Sequence, residues 1–195
     1  RLGVQDRISA QVLVRETGSQ ILRQYPLWFS VIILLGSTGY VQAVFPELSG
    51  YPVHEVSTVL AAMNFATIIA SLGTPYLKIE PVLLIRISAL MIVPLLFSFL
   101  IAPVILLIMG AVAGFIMVSQ IGYLAHAEER QGIAMGLYST CSYAGMTFLP
   151  AIGGYIISYS SFETASVVIA LGAIITAILI GKCSCKGFNI HDTGE

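Results

Sequence analysis

Three histidines, a cysteine pair and a run of hydroxyl and amide side chains are the groups here that could do chemistry. His54-Glu55 opens like the HExxH of a zinc protease, but Thr58 stands where the second histidine ligand belongs. A hydrolase needs a nucleophile and a base within hydrogen-bond reach. His54 and His126 fall at the edges of apolar segments and His191 in a polar tail, so none meets a serine in the middle of one. Cys183-x-Cys185, beside Lys182 and Lys186, offers two soft ligands where a closed zinc site takes four. No enzyme, metal site or cofactor is expected. What remains is hydrogen bonding. Ser57, Asn64, Thr67, Ser71 and Thr74 lie three, four or seven residues apart, one face of a helix. Tyr138, Ser139, Ser142, Tyr143 and Thr147 form a second uncharged polar group. Such faces either contact a polar solute in a wet cavity or bond helix to helix.

The elements that position them are membrane spans. Charged residues make up 10% of the 195, against about 25% in soluble domains, and mean hydropathy is +0.91. Uncharged runs of about 20 residues, enough to cross a hydrocarbon core of about 30 Å, recur along the chain. A net charge of -1 provides no basic surface for nucleic acid. The pattern predicts an all-α integral membrane protein with spans at 26–45, 55–77, 81–99, 103–124, 132–158 and 164–181. Pro94 and Pro103 divide the long uncharged run after Arg86 into a hairpin turning at 99–103. Residues 1–25, with Arg1, Arg7, Arg15 and Arg23 among apolar positions, read as an amphipathic cytoplasmic linker. Tyr25 and Trp28 read as interfacial aromatics. Residues 182–195 form a polar tail. Six spans put both ends on one side, together with all nine Lys and Arg, so both termini are expected in the cytoplasm.

Polar residues divide the spans unevenly. Thr38, Tyr40 and Gln42 in the first, Asn64, Thr67 and Ser71 in the second, Gln120 in the fourth, and Tyr138 and Ser142 in the fifth are the candidate cavity residues. The third and sixth spans are expected to face lipid. Gly110 and Gly114 have GxxxG spacing, and Gly132, Gly136, Thr140 and Ala144 recur every fourth residue, both patterns suited to close helix packing. Pro150 followed by Gly153-Gly154 predicts a bend in the fifth span.

Six spans as two sets of three, with the third of each set apolar, resemble the C-terminal half of a major facilitator superfamily transporter. The most specific likeness is to the family's eleventh helix: Glu129-Arg130, then Gly132-x-x-x-Gly136-x-Tyr138, then Pro150-x-x-Gly153-Gly154. The family's turn between second and third helices keeps Gly73 and Lys78 here, with Leu77, Glu80 and Pro81 departing from the pattern. The resemblance implies a plasma-membrane transporter working by alternating access on a small solute. Its partner would be an N-terminal six-helix half or a second copy, with Arg1 a cut within a longer chain. No charge lies in the middle of a predicted span, so this half offers no fixed counter-ion and no carboxylate for proton relay. A non-transporting polytopic scaffold or receptor is the alternative.

Overall fold

The computed structural model describes residues 25–127 and 131–182. They form α1 Tyr25–Leu48, α2 Val53–Gly73, a 3-10 turn Thr74–Leu77, α3 Pro81–Ser98, α4 Val104–Ala127, α5 Gln131–Tyr159 and α6 Phe162–Lys182. The lead, the Glu129-Arg130 pair and the tail with Cys183 and Cys185 lie outside the described residues.

Among the described residues, five helices are long and apolar enough to cross a membrane: α1, α2 with its 3-10 turn, α3, α4 and α6. The described residues are all-helical, and their helices make the chain a multi-pass membrane protein. The exception, α5, has 29 residues and length to spare, about 43 Å at the helical rise. Ser139, Thr140, Ser142, Thr147 and Ser158 dilute its apolar content.

Helix ends follow from local chemistry. Pro46 falls in the last turn of α1, which continues past it to Leu48, with Ser49 N–H donating to Phe45 O at 3.0 Å. Pro52 accepts from the amides of Glu55 and Val56 and so starts α2. Lys78 closes the 3-10 turn in the left-handed region at φ 49°, which reverses the chain before Pro81 begins α3. The turn at 99–103 lies where the prolines predict it. Pro150 lies inside α5, and the helix is continuous across it.

Two crossings organise the bundle, α1 on α5 and α2 on α4, followed by α3 on α6 and α3 on α4. Hydrocarbon gives apolar faces no reason to associate, so close backbone approach has to do it. On α1, a Cβ at Gly36 would lie 2.7 Å from Gly145 O, and one at Gly39 would lie 3.1 Å from Met146 Cα. In return Gly145 faces the Ile32 carbonyl, and Gly153 receives the Tyr40 ring. On α4, Gly110 faces the Met63 carbonyl, and a Cβ at Gly114 would lie 2.5 Å from Thr67 O. In each crossing residue numbers rise together, so both pairs run parallel. At one end Tyr51, Phe45, Phe99 and Phe162 join the ends of α1, α3 and α6, with centroid separations of 6.3, 6.4 and 5.5 Å along the series.

Central and peripheral helices differ sharply. In its most apolar stretch α1 is 67% buried within the bundle, whereas α2 is 17% buried. Trp28, expected at the interface, is instead buried inside the bundle, while Tyr25 is exposed. The outer faces of α3 and α6 carry Leu83, Ile87, Leu90, Val167, Leu171 and Ile175. Their polar residues Ser88, Ser166 and Thr176 turn inward.

Candidate functional site

A polar side chain at membrane depth needs partners, and the structure sorts the candidate residues by how they find them. Most use their own helix. Thr38 Oγ1 donates to Leu35 O at 2.7 Å, Thr67 to Met63 O at 3.1 Å, Ser71 to Thr67 O at 2.8 Å and Ser142 to Tyr138 O at 2.8 Å. A hydroxyl bonded this way can sit in lipid, protein or water without further help.

The amides behave differently. Gln42 of α1 and Asn64 of α2 meet across the helix pair, Gln42 Nε2 donating to Asn64 Oδ1 at 3.5 Å, a long bond that is easily exchanged. Asn64 Nδ2 also donates to Leu60 O at 3.0 Å. Gln42 is half-buried and Asn64 exposed. Their remaining donor and acceptor capacity faces outward from the bundle.

Gln120 is fully buried. Its Nε2 donates to Ser30 Oγ at 3.1 Å, tying α4 to α1, and Ser30 in turn donates to Leu27 O at 2.7 Å. Tyr40 and Tyr138 are buried as well. The Tyr40 hydroxyl lies toward Ser166 without a hydrogen bond of acceptable geometry. The Tyr138 hydroxyl and Gln120 Oε1 are likewise unpartnered among the described residues. Each leaves capacity that water or a mobile group can satisfy. Thus the structure joins Gln42 to Asn64 and aligns Thr67 with Ser71, while Thr38, Tyr40, Gln120 and Tyr138 are packed inside the bundle.

The glycines also divide. Gly110, Gly114 and Gly153 are contact points, whereas beside Gly132, Gly136 and Gly154 there is open space. Within this chain the packing face of α5 is therefore Ala134, Tyr138, Gly145, Leu149 and Gly153, not the Gly132–Ala144 ladder. Sequence reasoning passed over Gly36, Gly39 and Gly145, although Gly36-x-x-Gly39 amid apolar residues signals close approach. Ser30 and Ser166 were also missed; a lone serine in an apolar segment gives no clue to its partner. His54 and Glu55 are exposed in the first turn of α2, Nε2 to Oε1 at 3.9 Å.

Comparison with protein-family models, with curated proteins and with solved structures yields no match to this chain.

Proposed function

We propose that this chain is one six-helix half of a secondary transporter of the major facilitator type, moving a small solute by alternating access. In this reading all six helices span the plasma membrane and both termini are cytoplasmic. The observation that carries it is the helix pairing. Exchanging α1, α2 and α3 with α4, α5 and α6 turns the α1–α5 crossing into the α4–α2 crossing and returns α3–α6 to itself. Two three-helix repeats of inverted topology would produce this pattern. Lys78 and Arg86 lie at the end of the bundle where α3 starts, and Glu47, His54, Glu55 and Glu163 lie at the other, which supports the orientation.

The uncovered faces suggest where the other half docks and where solute passes. Ser139, Thr140, Tyr143 and Thr147 of α5 and Ser57 and Asn64 of α2 are exposed. An amide with free hydrogen-bonding capacity is costly in hydrocarbon. Water between two halves, or the facing half itself, would relieve that cost. The partner is an N-terminal six-helix half or a second copy, and Asn64 with Gln42 is the leading solute contact.

One observation favours the scaffold instead: Ser57, Thr67, Ser71 and Thr74 all bond carbonyls of their own helix, so the α2 stripe does not need water. Cysteine accessibility separates the two. In a background without native cysteines, Asn64→Cys should react with a small water-soluble thiol reagent, while Met63→Cys and Ala70→Cys, on the buried face, should not. Equal protection of all three would remove the cavity. In the assembled transporter Asn64→Ala should alter solute affinity more than protein yield, because an interhelical hydrogen bond in a membrane protein averages only about 0.6 kcal/mol.

A further inference from the structure

Tyr40 stands where α1, α5 and α6 meet. Its ring fills a notch at Gly153, where a Cβ would collide with ring atoms Cδ2 and Cε2. Beside it on α1, a Cβ at Gly39 would lie 3.1 Å from Met146 Cα. Pro150 has no amide hydrogen to give the Met146 carbonyl, so this turn of α5 lacks a backbone hydrogen bond. Residues 151–159 are thus joined to the rest of α5 through a weakened turn, and Gly39 and Tyr40 pack against that turn.

The hydroxyl end of Tyr40 is directed at α6. A Cβ at Gly172 would lie 3.2 Å from Ile33 Cγ2. The aromatic series from Phe45 through Phe99 to Phe162 brings the end of α1 to the start of α6, so these two helices run antiparallel. Two turns toward that end, Tyr40 comes level with Ala165 and Ser166. Both side chains are buried, their hydroxyls lie toward each other, and neither has a partner among the described residues. Buried Thr38 and Thr176 donate to carbonyls of the preceding turn of their own helices; Ser166 does not. Two neighbouring orphan hydroxyls carry a cost that pairing would remove.

We infer that Tyr40 is a two-position switch. With its ring seated on Gly153 the hydroxyl is held off Ser166, and when residues 151–159 swing away from α1 the two hydroxyls pair. Each position gains what the other forfeits, ring packing in one and a hydrogen bond in the other, so the two arrangements compete. The switch is a property of this bundle alone and does not rest on the transport reading.

The test is the distance between the C-terminal ends of α1 and α5, read by pulsed electron paramagnetic resonance from spin labels at Glu47→Cys and Ser158→Cys, both exposed. The full chain, with its native cysteines replaced, is reconstituted in phosphatidylcholine nanodiscs. Gly153→Ala evicts the ring and should move the main population to a longer distance. Gly154→Ala, which meets open space, should leave the distribution unchanged. In the Gly153→Ala background, Tyr40→Phe or Ser166→Ala should each lower the ratio of long to short distances about fivefold, the factor for one hydrogen bond. The double substitution should do no more than either alone, since both remove the same bond. Where Gly153 is retained the hydroxyls are unpartnered, so neither substitution should lower the dodecyl sulfate concentration at which the chain unfolds. An unmoved distance in Gly153→Ala would overturn the notch. Additive or absent effects of the two hydroxyl substitutions, or a lowered unfolding midpoint for both in the parent chain, would overturn the switch.

Discussion

Gly114→Ala tests whether glycine-mediated contact holds α2 to the bundle. The new methyl would sit 2.5 Å from Thr67 O, 2.9 Å from Ala70 Cβ and 3.0 Å from Ser71 N. Two of those three atoms are backbone, so no side chain can swing aside. Restoring ordinary contact distances requires the helices to separate by about 1 Å. Overpacking of this kind costs about 1–3 kcal/mol. Little else holds α2, since its contacts with α1 are few and only 17% of its apolar stretch is buried. Gly136→Ala is the matched control. It also adds a methyl to a helix interior but meets open space, and the lost glycine flexibility should stabilise by about 0.5–1 kcal/mol. That gain is common to both substitutions, so they should differ by the overpacking cost alone, about 1–3 kcal/mol. The assay is reversible unfolding of micellar protein by added dodecyl sulfate, followed by helical circular dichroism and Trp28 fluorescence. Equal stability of Gly114→Ala and Gly136→Ala would refute the argument, because propensity alone would then account for both.

Two predictions bear on topology and on the half-transporter reading. With Cys141 replaced, Cys183 and Cys185 should react with an impermeant thiol reagent in inside-out vesicles and not in intact cells; labelling of intact cells reverses the orientation. The chain reconstituted alone should give no solute-specific flux across a panel of uncharged small solutes. Robust uptake by a demonstrated monomer would eliminate the half-transporter, whereas uptake by a dimer would mean that two copies assemble the pathway.

The helices themselves were legible because length and hydropathy decide them. α2 begins two residues before its expected start at Glu55, and α3 opens at Pro81 as expected. Proline and glycine fix those ends through the backbone, without knowledge of any partner. Faces were a different matter. α5 carries small residues on two sides, Gly132, Gly136 and Thr140 on one and Gly145 and Gly153 on the other. Either side would let a helix approach, and only Gly36 and Gly39 on α1 determine which one is used within this chain. Nothing in the sequence of α5 contains that choice.

The polar residues were hard to place for a related reason. A serine or threonine in a helix can place its donor on the preceding turn, so a stripe of them is tolerated facing lipid, protein or water. Amides have that escape only in part: Asn64 Nδ2 donates to Leu60 O of its own helix, but the second N–H and the carbonyl still need partners, and their environments are correspondingly informative. Gln120, on a central helix, is enclosed and bonded to Ser30, whereas Asn64, on a peripheral helix, remains open with Gln42 beside it. The same division holds for the hydroxyls: Thr38 and Ser37 on α1 are buried, and Ser139, Thr140 and Thr147 on α5 are exposed. Solvent-accessible polarity therefore lies at the edge of this bundle, on α2 and α5, whereas the unpartnered Tyr40, Gln120 and Tyr138 atoms are enclosed. A wet pathway here would have one wall in this chain and the other in whatever packs against those two helices. That is why Asn64, not the buried Gln120 or Tyr40, is the residue whose chemistry most directly tests the function.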